Sequence, residues 1–157
     1  MARMRNQIAR TTVVMSLLVP LTATICVASA PPAHAVGCWG DWCSGKDPQA
    51  TGCAADAYTI AAANYNTASL QLRWSPTCKT NWARLVVYPM GWSVFNYGSL
   101  WAIQSTGYTQ STNTSMVSRN ASAVTFWTPM IYSPRLCVKA VFYNQFKSYD
   151  SVQTRCL

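Results

Sequence analysis

An all-β domain closed by disulfides is the fold class this sequence predicts, on three features. Short runs alternate apolar and polar residues between Pro, Gly, Asn and Ser punctuation; six cysteines follow an N-terminal leader; and helical periodicity is weak throughout. The expectation is a single disulfide-linked antiparallel β-sandwich or small barrel of about seven short strands, the choice between the two staying open.

Residues 1–35 read as a secretory signal peptide. Arg3, Arg5 and Arg10 form a basic n-region, residues 13–23 are mostly apolar, and Ala33-His34-Ala35 makes a small-x-small cleavage site. Ile25 stands before Cys26 where lipidation needs a small residue, so the chain is expected to be released rather than anchored. Cleavage before Val36 leaves 157 minus 35, or 122 residues, the size of one domain over 36–157. No later segment approaches the roughly 18 apolar residues of a membrane span.

The mature chain opens with a Cys-rich arm, residues 36–53, dense in Gly, Cys and Trp and without period. Residues 57–63 tolerate a strand, with weak helical character from Asp56. In residues 69–75, Leu70, Leu72 and Trp74 alternate with Gln71 and Arg73, the clearest strand signal in the chain. A turn at 75–80 containing Pro76 leads to a second strand, 82–88, so the two should form a hairpin. Residues 89–98 are turn-rich and carry Trp92, Phe95 and Tyr97. Residues 100–109 suggest a strand interrupted at Gly107, 109–115 a polar loop, and 122–128, 136–143 and 151–156 three further strands, with a turn at 144–150. Trp74, Trp82 and Trp127 are expected in the core.

Of seven Cys, Cys26 leaves with the leader. Cys38, Cys43, Cys53, Cys78, Cys137 and Cys156 remain, an even number in a chain bound for an oxidising compartment, which predicts three disulfides. Sequence does not select among the pairings, although spacing suggests Cys38 with Cys43, Cys53 with Cys78 and Cys137 with Cys156. Zinc is the rival use of these thiols. It is set aside because the mature chain has no His and no C-x-x-C pair, and because secretion disfavours reduced thiolates; no metal or cofactor is expected.

One stretch carries a family likeness. The C-x4-C of Cys38 and Cys43, Gly45-Lys46-Asp47-Pro48, Thr51-Gly52-Cys53 and Leu72-Arg73-Trp74-Ser75-Pro76-Thr77-Cys78-Lys79-Thr80-Asn81-Trp82-Ala83-Arg84 together resemble the YjfA-like secreted domain of unknown function. That family occurs in actinomycetes and other Gram-positive bacteria. The likeness spans most of the mature chain, is strongest through Arg84, and implies a secreted disulfide-linked β domain without an established activity. In size and layout alone, the chain also resembles the small adaptor subunits of streptomycete umbrella-shaped toxin particles, which implies a partner in a larger toxin-type assembly.

The chemical inventory points away from catalysis. With the only His gone and no Glu present, the mature chain keeps Asp41, Asp47, Asp56 and Asp150, three of them in or beside the tight arm and suited to turns and caps. An enzyme is therefore not expected. Nine basic residues against four Asp give a mature charge of 9 minus 4, or +5, with no basic run. Nucleic acid is not an expected partner, whereas weak attraction to anionic cell-wall polymers is compatible with that charge.

Arg73, Lys79 and Arg84 can share one cationic patch that engages a partner's carboxylates or phosphates; the competing assignment pairs Arg84 with Asp47 or Asp56 and lays both Arg stems on Trp74 and Trp82. All 19 aromatics lie in the mature chain, more than one small core hides. Trp39 and Trp42, in a five-residue-spaced Cys loop, and Trp92, with Phe95 and Tyr97, in a Gly-rich connection, are candidate anchors or, equally, lids over the sheet ends. The functional expectation is a secreted, non-catalytic protein-interaction or adaptor module binding through Trp39, Trp42, Arg73, Arg84 and Trp92. The alternative is a cell-wall or carbohydrate-binding module stacking sugars on the same rings.

Overall fold

The computed structural model describes residues 36–91, 95, 97–114, 122–144 and 148–153, the last group as backbone. Alternation in the sequence becomes two antiparallel sheets. β1 (Tyr58–Asn64), β2 (Ala68–Ser75), β3 (Thr80–Val87) and β6 (Val124–Trp127) lie side by side in that order, and the short β7 (Ile131–Tyr132) pairs with the start of β3. The second sheet runs β5 (Thr109–Asn113), β4 (Gly98–Gln104), β8 (Val138–Asn144) and β9 (Ser148–Gln153).

The anticipated hairpin is the centre of the first sheet. β2 and β3 pair in unbroken register from Ala68↔Val87 to Ser75↔Thr80, closed by a turn in which Lys79 takes a positive φ of 54°. Residues opposite one another share a face, so Leu70, Leu72, Ala83, Leu85 and Val87 all point inward. They interleave with Leu100, Ala102, Val138, Ala140 and Phe142 of the other sheet, forming one buried core between two separate layers. The fold is thus a sandwich rather than a barrel, and burial of each large aliphatic side chain contributes about 2 kcal/mol.

Several expectations are corrected. The Ser, Thr and Asn run expected as a loop over 109–115 is in part the edge strand β5, which pairs with β4 from Ser99↔Asn113 to Ile103↔Thr109. An edge strand with half-exposed side chains has no need of apolar residues, so its polarity mimics a loop. The break expected at Gly107 is the turn of that hairpin, where φ is +91°. β7, between Pro129 and Pro134, was not anticipated, and β9 begins at Ser148, inside the stretch expected as a turn. The weak helical character from Asp56 gives way to β1. Phe95, grouped with the loop anchors, is buried in the core between Tyr65 and Phe142, with ring centroids 6.2 and 5.3 Å away.

Trp74 and Trp127 are only half-buried. Trp82 is buried, but not where expected: its neighbour Ala83 faces the sandwich core, so Trp82 faces outward, and it is covered there by the arm. A second cluster forms on that outer face from Cys38, Cys43, Cys53, Cys78, Trp82 and Met130, with Trp127 packed against it. The arm is a third layer over one end of the five-stranded sheet.

Candidate binding surface

Backbone hydrogen bonds hold the arm in place. Gly45 N–H donates to Met130 O, and Met130 N–H returns a bond to Lys46 O, both at 2.9 Å. Tyr132 N–H donates to Ser44 Oγ at 2.9 Å. Within the arm, Asp47 Oδ1 accepts from Gln49 N–H (2.7 Å) and Ala50 N–H (3.0 Å), the turn chemistry expected of an Asp-Pro pair, while its Oδ2 accepts from Trp127 Nε1 at 2.9 Å. Partial burial alone would raise the Asp47 pKa, but the Trp127, Ala50 and Gln49 donors outweigh it and leave the carboxyl below its ordinary value.

The disulfides complete the arm. Cys38–Cys43 closes the small loop, and Cys53–Cys78 ties the arm's end to the β2–β3 turn, both as the spacing suggested. Cys137 is also disulfide-bonded, while Cys156 lies outside the described residues. The four arm and turn sulfurs lie within 4.8 Å of one another and are all buried, with Cys38 Sγ and Cys53 Sγ 3.6 Å apart between the two bridges.

Trp39 precedes a 3₁₀ turn at Gly40–Cys43 and keeps an extended backbone, while Gly40 takes a φ of +64°. This places the indoles of Trp39 and Trp42 outside the tight loop, where they are 77% and 70% exposed. Neither is a lid over a sheet end. The Lys46 ammonium sits 3.8 Å above the Trp42 ring, a cation–π contact that orients the indole. Trp92 lies outside the described residues, and Tyr97 is exposed.

The two arginines occupy the same outer sheet face, beside the arm. Arg73 is opposite Trp82 and Thr59, and Arg84 is opposite Gln71 and Trp127. Neither takes the carboxylate partners considered for Arg84. Asp56 is committed to the Ser75 hydroxyl (2.6 Å) and Thr77 N–H (2.9 Å), and Asp47 to the bonds above. Arg84 Nε instead donates to Gln71 Oε1 at 2.8 Å. Gln71 Nε2 donates to Ser69 Oγ at 2.9 Å, and the Ser69 hydroxyl to Asn64 Oδ1 at 2.7 Å. Arg73 donates to Thr59 Oγ1 at 2.8 Å and to the Ala57 carbonyl, while its buried Nε has no partner.

Burial lowers the pKa of both arginines, and for Arg73 the nearby Arg84 charge adds to the effect. The structure therefore brings Arg73 and Arg84 together in a fixed polar row with no acid in it among the described residues. Lys79 is exposed in the turn. The cation over an exposed indole is Lys46, which sequence reasoning missed; its place four residues after Trp42 in a tight loop was the available signal.

A family model described as Protein of unknown function (DUF2690) matches residues 41–141, from the 3₁₀ turn into β8 and including Trp42, Arg73 and Arg84. No curated protein and no solved structure matches the chain.

Proposed function

We propose, on the premise that the chain belongs to the DUF2690 family, that it is a secreted, non-catalytic binding module: a protein-interaction or adaptor subunit of an extracellular assembly. The observation that carries this reading is a pair of large indoles, Trp39 and Trp42, held in water on a cross-linked and hydrogen-bonded arm. A rigid loop loses little entropy on docking, so its aromatic side chains are efficient anchors. Lys46 over Trp42 and the nearby Arg73–Arg84 row supply a polar, cationic rim, which favours a partner with acidic groups.

The leader with its Ala33-His34-Ala35 site, the disulfides and the likeness to YjfA-like secreted domains support an extracellular location in a Gram-positive actinomycete. The layout shared with toxin-particle adaptors makes a larger toxin-type assembly the first partner to test. Asp47 and Asp56 already serve turns, which supports a role without catalysis.

The test is a tagged chain carrying Trp39→Ala and Trp42→Ala, compared with wild type in co-purification from culture supernatant and in binding to wall polysaccharide. The expected result is loss of a protein partner by at least ~2 kcal/mol, roughly thirtyfold, with a nearly unchanged melt. Loss of polysaccharide binding alone would move the assignment to a carbohydrate-binding module. Retained binding with a sharply lowered melt would make the two Trp structural.

A further inference from the structure

We infer that Cys38, Cys43, Cys53 and Cys78 form, once their disulfides are reduced, a tetrathiolate site for a zinc-class divalent cation. The sequence argued against zinc from composition, from spacing and from an oxidising destination; the first two do not report where the sulfurs meet, and a dithiol reductant lifts the third. Two structural disulfides need no proximity to each other, yet here all four Sγ atoms lie within 4.8 Å. A regular tetrahedron of thiolates about 2.3 Å from a central zinc has edges of about 3.8 Å. The Cys38–Cys53 separation of 3.6 Å, which crosses from one bridge to the other, is already close to that edge. Reduction lets the two bonded pairs part from covalent to non-bonded distance, which moves them toward the same geometry.

Hydrogen bonds hold the frame around the sulfurs in addition to the bridges. Gly45 is bonded to Met130, Met130 to Lys46, Gly37 to Thr51, and Cys78 N–H to Ser75 Oγ. Three separately held segments, the small loop, the arm's end and the β2–β3 turn, thus aim four soft ligands at one point. Four sulfurs and no oxygen select zinc-class ions over calcium or magnesium. The sulfurs are sealed beneath Trp82 and Met130, and Cys38 at 4% exposure is the most open of the four, so it marks the entry side.

The chemistry balances with a dithiol as reductant. Each disulfide accepts two electrons and two protons while one dithiol closes to its own cyclic disulfide, giving four thiols. Zinc then displaces four thiol protons to solvent and leaves a dianionic complex. Lys46 and Lys79, each within three residues of a cluster cysteine, lie on the segments that would border that charge. Disulfide-bonded or zinc-bound, the cluster pins the arm to the sheet.

The test uses the full chain, reduced with a dithiol and freed of it by gel filtration under nitrogen, then titrated with cobalt(II) and zinc(II). Expected are one equivalent bound, the absorption of tetrahedral cobalt thiolate, displacement by zinc, and a Trp82-dependent near-ultraviolet circular dichroism signal kept only with metal. Cys78→Ser should weaken binding more than the roughly 10–100-fold cost of losing an outer-shell partner, and Cys137→Ser should not weaken it. Peptide mapping after alkylation should find Cys38, Cys43, Cys53 and Cys78 protected by zinc, a readout that stands even if Cys78→Ser fails to fold. Equal weakening by Cys137→Ser, no site-specific protection, or a non-tetrahedral spectrum would overturn the inference, because each is the signature of an unfolded chelating chain.

Discussion

Cys53–Cys78 should matter more to stability than Cys38–Cys43, and the margin follows from the chain each one closes. Their sequence separations are 25 and 5. In the chain-entropy account, removing the longer cross-link costs about 3.5 kcal/mol at 25 °C and removing the shorter about 2 kcal/mol. Replacing each pair by two Ser leaves two buried hydroxyls in either case, a similar penalty that cancels in the comparison. The difference, about 1.5 kcal/mol, corresponds to about 6 °C in melting temperature for a domain of this size. Calorimetric melts of Cys53→Ser/Cys78→Ser and Cys38→Ser/Cys43→Ser, side by side without reductant, measure it. A melt lowered equally by both, or more by loss of the short bridge, would refute the reasoning. It would mean that the arm is held by packing over Trp82 rather than by restriction of the unfolded chain.

Leu72→Asp should unfold the domain, because Leu72 is fully buried and an unpaired carboxylate there costs several kcal/mol, whereas Gln71→Asp should stay within ~1 kcal/mol, its charge facing Arg73 and Arg84; comparable melts would reverse the assigned faces. Gly98→Ala should cost about 1–3 kcal/mol in urea unfolding, since an added Cβ would lie 2.3 Å from Tyr143 O and 2.5 Å from Phe142 Cζ, while Gly40→Ala, at φ +64° in open space, should cost only about 1 kcal/mol. The Asp56 carboxyl should tie stability to pH. Partial burial would raise its pKa, but bonds from Ser75 and Thr77 bring it below the ordinary value. Its contribution is therefore present above the unfolded pKa of about 4 and lost as pH falls through the folded one, so urea midpoints should drop below about pH 4, less steeply in Asp56→Asn.

How far the fold could be read in advance depended on what each residue had to do. The β2–β3 hairpin was legible because Leu70 and Leu72 face a core while Gln71 and Arg73 face outward, and burial on one side writes itself into alternation. The same alternation placed Arg73 on the outer face, and the hairpin register puts Arg84 beside it. β5 was illegible because an edge strand of Ser, Thr, Gln and Asn satisfies its backbone on one side only and needs no apolar face. Trp82 shows a subtler failure: its apolar character announced burial but not the layer that buries it, since the arm docks through contacts distant in sequence, such as Asp47 with Trp127. For the same reason, the cysteine spacing suggested pairs but could not reveal that two pairs converge.

The bulge between Thr59 and Ala61 has a consequence for how copies of this protein behave when crowded together. β1 ends the five-stranded sheet, with Tyr58 and Ile60 exposed along it, and a straight rim of that kind invites edge-to-edge growth into insoluble ribbons. The register shift puts the hydrogen-bonding groups on its two sides out of step and bends the strand away, so an approaching chain can match only one short half. Deleting Ile60 would restore an even rim. The variant should scatter light at concentrations where the parent stays clear, which would identify one extra residue in a seven-residue strand as a determinant of solubility.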